Sequence, residues 1–101
     1  MTEFRYEETK QSARQVLTEL GLPEQTQTRC LSILDDSRTQ EILTEQNADG
    51  IIAGAIYIAA ILTESRLPQH RIAGVMDISE ATIRKYYAQL VKMLEIKRKK
   101  D

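Results

Sequence analysis

The sequence predicts one all-α domain of five helices, in which the third helix is buried by the other four. Three observations lead to this prediction: an uncharged apolar run at 51–62, only four Gly and two Pro in 101 residues, and apolar residues at helical spacing without an alternating, strand-like run. A helix that is apolar on every side is buried in a protein core or in a membrane. The run is shorter than the roughly 20 residues of a membrane span, so we expect a core helix and no membrane contact.

The composition argues against several functional classes. An apolar fraction of 42% and a charged fraction of 29% are ordinary for a soluble globular protein. Cys30 is the only cysteine, so we expect a core thiol in a reducing, cytoplasmic compartment. His70 is the only histidine and has no evident catalytic partner. Without paired acids or a Gly-rich phosphate loop, the sequence predicts no enzyme activity, no metal and no cofactor.

The charge is divided unevenly along the chain. Residues 1–65 contain 5 Lys or Arg and 11 Asp or Glu, whereas residues 66–101 contain 9 and 4, so net charges of −6 and +5 give the overall −1. This division indicates an acidic body with one basic face, or only a basic C-terminal tail. We expect a single domain over residues 1–96 and a basic tail over 97–101.

The first helix is expected to start near Thr2 and to end before Gly21, which suits a left-handed position after a helix. Phe4 and Tyr6 either extend its apolar stripe or lie on the surface. Pro23 suits the first turn of the next helix. The stripe itself consists of Ala13, Val16, Leu17 and Leu20.

The second helix is more polar, and its end is ambiguous. It either breaks at 37–39 or continues through Ile42 and Leu43. Its expected inner side consists of Thr26, Cys30, Ile33 and Leu34.

Polar residues mark the starts of the remaining helices. Asn47 is the expected N-cap of the central helix, and Asp49 lies in its first turn, where a negative charge is favourable. Pro68 begins a short fourth helix that ends near Val75, and Ser79 caps the fifth. The apolar stripe of the fifth helix consists of Ile83, Tyr86, Tyr87, Leu90, Val91 and Leu94.

Residues 68–94 have the spacing of a helix-turn-helix. The small Ala73 lies where the two helices would cross, and Ile72, Ile78 and Ile83 would fill the angle between them. Asp77 occupies the turn position that usually requires a glycine with positive φ. The alternative is that two short helices lie together by chance and expose an ordinary solvated face.

The second helix of such a unit lies in the DNA major groove. Arg84 would then donate to guanine, Ala81 would contact a thymine methyl group, and the Ser79 hydroxyl would reach a phosphate. The remaining candidates for phosphate contacts are Arg66, His70, Arg71, Thr82, Lys85 and Lys92.

Two segments resemble a known family. NADGIIAGAIYIAA at 47–60 and Q-x-x-I-A-x-x-x-x-I-S-E-A-T-I-R-x-x-Y at 69–87 are similar to the second cyclin-type repeat of archaeal transcription factor B, the counterpart of general transcription factor IIB. The resemblance implies a five-helix cyclin box with a buried third helix. It also implies a C-terminal helix-turn-helix that recognises the promoter element beside the TATA box, in an archaeal, nucleoid-associated setting. By this resemblance Ala81 and Arg84 occupy base-contacting positions, Gln69 opens the first helix of the motif, and the core helix includes Ile51 and Tyr57.

The chain departs from the family pattern in three ways. It has one repeat where the family usually has two behind a zinc ribbon, so we expect an accessory or regulatory factor, or else a fragment of a complete initiation factor. Glu45 lies in a loop that is usually basic and would repel phosphate. Ala81 is smaller than the usual valine, which weakens any inherited base preference.

Two further functions are compatible with the sequence. One is a protein-interaction module, in which a cyclin-type domain with an acidic body docks on or antagonises TATA-binding protein, RNA polymerase or the full initiation factor. The motif alone is also similar to the promoter-recognition domain of a bacterial sigma factor, although the buried helix at 51–62 argues against that. The sequence leaves a homodimer open.

Overall fold

A computed structural model of the protein describes residues 5–100 and the side chains of residues 5–95. These residues form α1 (Tyr6–Glu19), α2 (Glu24–Thr39), α3 (Ala48–Leu62), α4 (Gln69–Met76) and α5 (Glu80–Lys100). No β-strand occurs in the described range, and none of its helices is long and apolar enough to cross a membrane. The predicted all-α, five-helix fold is confirmed.

The third helix is the core of the molecule, as predicted. Every residue from Gly50 to Ala60 is buried except Tyr57, which is half-buried. α5 and α2 make the most extensive contacts with α3. Because ten of its residues are buried, α3 contributes a large share of the hydrophobic stabilisation of the domain.

Gly54 allows α5 to approach α3 closely. A Cβ atom at Gly54 would lie 3.0 Å from the backbone nitrogen of Tyr87 and 3.1 Å from Cδ1 of Leu90. Four residues earlier, Gly50 faces the ring of Tyr86. The two helices therefore run side by side in the same direction, and glycine sets their separation.

α1 is attached to α2 through Tyr6. Its ring is buried, its hydroxyl donates a hydrogen bond to a carboxylate oxygen of Asp35, and the cations of Lys10 and Arg38 lie 5.2 and 4.7 Å from the ring centre. Burial, with the Asp35 hydrogen bond, raises the pKa of Tyr6 above its usual value. Tyr6 therefore extends the apolar stripe rather than lying on the surface, whereas Phe4 lies outside the described residues.

The four residues predicted to form the inner side of α2 are buried. Thr26, Cys30 and Leu34 are fully buried, and Ile33 is almost so. The buried Thr26 hydroxyl lies 2.7 Å from the hydroxyl of Thr63 and 3.0 Å from that of Ser65, so this polar group is satisfied at the end of α3.

The first four helices end in the same way. Each of α1 to α4 is followed by a residue in the left-handed region: Gly21, Glu41, Glu64 and Asp77, with φ between 55° and 68°. After α1, Leu22 N donates to Leu17 O and Gly21 N to Thr18 O, which is the Schellman pattern. The same pattern follows Thr39, so α2 includes residues 37–39 and ends just after them, before Ile42 and Leu43.

The starts of the helices differ from the predictions in detail. α1 begins at Tyr6 after Arg5, later than expected, and Thr2 lies outside the described residues. Pro23 and Pro68 occupy the N-cap positions of α2 and α4 instead of their first turns. Proline suits both places because it supplies no backbone N–H donor.

Asn47 does not cap α3 with its side chain, which corrects the prediction. Its Oδ1 accepts a hydrogen bond from Thr44 N at 2.8 Å, and its Nδ2 donates to Ile42 O at 2.9 Å. The side chain therefore closes the preceding loop. The predicted limit at residue 96 and the basic tail at 97–101 concern side chains outside the described residues, and they stay predictions.

Candidate nucleic-acid interface

α4 and α5 form the helix-turn-helix, joined by residues 77–79. Ile72 and Ile83 are fully buried between them and Ile78 is half-buried, as the spacing predicted. Asp77 takes the left-handed conformation with φ of 55°, and Ile78 N donates to Ala73 O at 3.2 Å to close the end of α4. The angle between the two helices is thus held by apolar packing and by one turn residue.

Ser79 caps α5. Its Oγ accepts a hydrogen bond from Thr82 N at 3.1 Å and lies 2.9 Å from Thr82 Oγ1. This cap satisfies one of the free N–H groups of the first turn. Since only one of the two hydroxyls donates to the other, the second hydroxyl proton stays available to an external acceptor such as a phosphate oxygen.

The outer face of α5 exposes both predicted base-contacting residues and one of the predicted phosphate contacts. Ala81 and Arg84, and beside them Lys85, are all solvent-exposed near the start of the helix. Nη1 of Arg84 donates to Oε1 of Gln69 at 3.4 Å, so the first residue of α4 meets the outer face of α5. Gln69 itself is half-buried.

Tyr86 supports this face from behind, a role that periodicity alone did not indicate. A Cβ at Gly50 would lie 2.3 Å from two atoms of the Tyr86 ring, so the ring lies directly on the backbone of α3. The Lys85 ammonium lies 5.2 Å from the centre of the same ring, a cation–π distance. The signal in the sequence was Gly50, because a glycine inside a helical pattern often marks a close approach.

The remaining candidates are exposed but dispersed. Arg66 lies before α4, His70 and Arg71 lie in its first turn, and Lys92 lies two turns beyond Arg84, about 12 Å along α5. Among the described side chains, none of these four is hydrogen bonded to the Gln69–Arg84 pair. They therefore lie apart from the Gln69–Arg84 contact, before α4, within it and further along α5.

Cys30 is a buried free thiol on the inner side of α2. Burial raises the pKa of the Cys30 thiol to about 12, so the sulfur stays protonated and inert at neutral pH. No group of three or more His, Cys, Asp or Glu residues within the described part of the chain could hold a metal ion.

A second surface feature is an apolar groove between the C-terminal half of α3 and the middle of α5. Ile61 and Leu62 are 50% and 52% exposed in it. The other residues that line the groove are Ile58, Tyr87, Val91, Leu94 and Glu95.

Five helices, of which the third is buried by the others and the last two form a helix-turn-helix, define a cyclin-type helical domain. The sequence model described as "Transcription factor TFIIB repeat" matches residues 3–93. The chain belongs to this family. The resemblance seen at 47–60 and 69–87 is therefore confirmed over most of the chain.

The similar proteins are named as initiation factors. Transcription initiation factor IIB of Pyrococcus furiosus is 35% identical over 79 residues, which are 78% of this chain and 26% of that protein. The proteins of the same name from Methanocaldococcus jannaschii and Methanococcus maripaludis are each 34% identical over 79 residues, covering 12% and 23% of their lengths. The chain thus spans about a quarter or less of the relatives that it matches.

Proposed function

We propose that this domain recognises double-stranded promoter DNA by placing the first turns of α5 in the major groove. The observation that supports this most directly is the joint exposure of Ala81, Arg84 and Lys85 on one end of α5. Behind them, Ile83 is fully buried and α5 lies against Gly54, so the outer face is presented by a fixed helix. A rigid supporting structure favours specific contacts because little ordering is left for the binding step.

The contacts follow from the chemistry of each side chain. Arg84 donates to O6 and N7 of guanine, and Ala81 packs against a thymine methyl group. Ser79, Thr82 and Lys85 bind the phosphates next to the groove, while Arg66, His70, Arg71 and Lys92 supply further phosphate contacts. Phosphate contacts release counterions, so affinity falls as salt concentration rises.

The printed name of the relatives, transcription initiation factor IIB, supports a role in transcription initiation. We propose an accessory or regulatory factor that acts at promoters beside TATA-binding protein and RNA polymerase, in the nucleoid of an archaeal cytoplasm. The correspondence to the second repeat of the family belongs to the same proposal. Binding, rather than catalysis, is the proposed activity.

Gel shifts with wild type and Arg84→Ala test the proposal, on a promoter duplex and a random duplex at two salt concentrations. Loss of a bidentate guanine contact weakens promoter binding by about 1–3 kcal/mol, or roughly 5- to 150-fold, and weakens random binding less. Arg29→Ala is the matched control, because it removes the same charge from an exposed position on α2, which packs on α1 and α3. Equal affinities for the two variants would contradict the proposal.

The apolar groove favours a second candidate function, a docking module for a protein of the initiation machinery. Exposed apolar side chains such as Ile61 and Leu62 are typical of protein-binding surfaces. Under this alternative, Leu62→Asp abolishes capture of purified TATA-binding protein and leaves DNA binding intact. Arg84→Ala should show the reverse pattern. If both variants capture TATA-binding protein as well as wild type does, the groove is not its docking site.

A further inference from the structure

The contact between Gln69 and Arg84 joins the two helices of the motif across fifteen residues of sequence. Arg84 Nη1 lies 3.4 Å from Gln69 Oε1. Gln69 is half-buried at the first position of α4, so its side chain has less freedom than that of the exposed Arg84. The better-fixed partner therefore restrains the more mobile one.

Another potential acceptor for Arg84 lies on the same helix. Glu80 lies one turn earlier on α5, at the spacing at which carboxylates and arginines pair. No ion pair between Glu80 and Arg84 occurs among the described side chains, where Arg84 instead donates to a neutral amide. A neutral acceptor orients the guanidinium without cancelling its charge, which leaves the cation available to DNA.

We infer that Gln69 is a positioning residue that acts on DNA through Arg84, by orienting the guanidinium for one guanine. This inference rests on the proposed function and specifies how the helix-turn-helix discriminates between bases. The guanidinium has five N–H donors. One of them binds Gln69, and the fork that guanine O6 and N7 require needs only two others.

Orientation of this kind affects specificity more than overall affinity. A free arginine side chain samples many rotamers and loses that freedom when it binds a base. A phosphate accepts a guanidinium in many orientations, whereas the edge of guanine accepts few. Removing the Gln69 acceptor should therefore lower the preference for guanine and leave binding to random DNA almost unchanged.

A double-mutant cycle distinguishes this role from a direct contact between Gln69 and DNA. Gln69→Met keeps the length and helix propensity of the side chain but removes the acceptor. The preferred site is first selected from a randomised duplex pool with wild-type protein. Affinities of wild type, Gln69→Met, Arg84→Ala and the double variant are then measured on that site and on the site with its guanine replaced.

The expected result is a loss of guanine preference by about 3- to 10-fold in Gln69→Met, the range that one net hydrogen bond supports. In the Arg84→Ala background, Gln69→Met should have no further effect. Gln69→Glu retains the acceptor and should retain the guanine preference, with weaker binding at low salt because of its charge. Thermal melts of each variant confirm that the comparison is made between folded proteins.

Failure of this inference and failure of the proposed function give different results. If the effects of Gln69→Met and Arg84→Ala are additive, Gln69 contacts DNA itself and this inference is wrong while the proposed function stands. If Arg84→Ala binds the selected site as wild type does, both the proposed function and the inference fall. If Gln69→Met keeps the full guanine preference, Arg84 needs no positioning and the inference alone is overturned.

Discussion

Replacing Gly54 by alanine tests whether α5 rests on the backbone of α3. The added Cβ would lie 3.0 Å from Tyr87 N, 3.1 Å from the carbonyl carbon of Tyr86 and 3.1 Å from Leu90 Cδ1. Two of these three atoms belong to the backbone of α5, so the helix as a whole would have to move. Overpacking of this kind costs about 1–3 kcal/mol.

The matched control is Gly74→Ala. Gly74 lies inside α4, and a Cβ there meets no atom within 4 Å. Alanine stabilises a helix interior by about 0.5–1 kcal/mol relative to glycine, and both variants receive this gain. The difference between them therefore isolates the packing cost at Gly54.

Thermal and urea denaturation, followed by circular dichroism, measure that difference. We expect Gly74→Ala to be more stable than wild type, and Gly54→Ala to be less stable than Gly74→Ala by about 1–3 kcal/mol. For a domain of this size that corresponds to a Tm difference of roughly 4 °C or more. If Gly54→Ala is stabilised as much as Gly74→Ala, the close approach of α5 to α3 is not present in solution.

Three further predictions concern folding and the thiol. Ala55→Asp places a charge at a fully buried position and should abolish the helical circular dichroism signal. Ala88→Asp, exposed on α5, should cost only about 0.5–0.7 kcal/mol of helix propensity, and Arg84→Ala should melt like wild type. Equal stability of the two aspartate variants would refute the core assignment. Asp77→Gly relieves a left-handed aspartate and should raise stability by about 0.5–1 kcal/mol in urea titrations, and a lower midpoint would contradict the strain argument. Burial raises the pKa of Cys30 from 9.0 to about 12, so the thiol of the unfolded chain ionises at lower pH than that of the folded protein. The contribution of the buried thiol to folding stability is therefore complete below about pH 9 and is lost as pH rises towards 12. Urea midpoints at pH 8 and pH 10 should therefore differ more for wild type than for Cys30→Ala, and identical differences would show that the thiol is not buried.

The fold was predictable where structure is determined by local pattern. The apolar run of α3 and the stripe that begins at Ile83 have helical spacing, and burial follows from that spacing directly. Tyr6 was ambiguous because an aromatic residue with a hydroxyl is compatible with either environment. Its partner Asp35 is far away in sequence, and only tertiary packing brings the two together.

Helix ends and polar side chains were harder to predict. Glu41 and Glu64 adopt left-handed conformations that glutamate rarely takes, so nothing in their residue type signalled a helix end. Asn47 had a residue type and a position typical of an N-cap, yet its side chain binds the preceding loop. Asparagine forms both kinds of hydrogen bond, and the loop geometry decides between them.

The candidate interface, too, was predictable from the sequence only in part. The outward positions of Ala81 and Arg84 follow from the inward stripe of the same helix, and these were predictable. The contact between Arg84 and Gln69 depends on the angle between α4 and α5, which one-dimensional periodicity does not specify. Tyr86 was expected inside the domain, but its contact with Gly50 and its position beside Lys85 required the three-dimensional arrangement.

The two glycines of α3 also affect how mutational data on this domain should be interpreted. In a saturation screen that selects for promoter occupancy, nearly every substitution at Gly50 and Gly54 should be depleted as strongly as substitutions at Arg84. Neither glycine has a side chain to offer a ligand, so a map of intolerant positions alone would overestimate the size of the contact surface. A parallel screen for intracellular abundance should deplete the glycine variants and spare those of Arg84, and the difference between the two maps would outline the true contact surface.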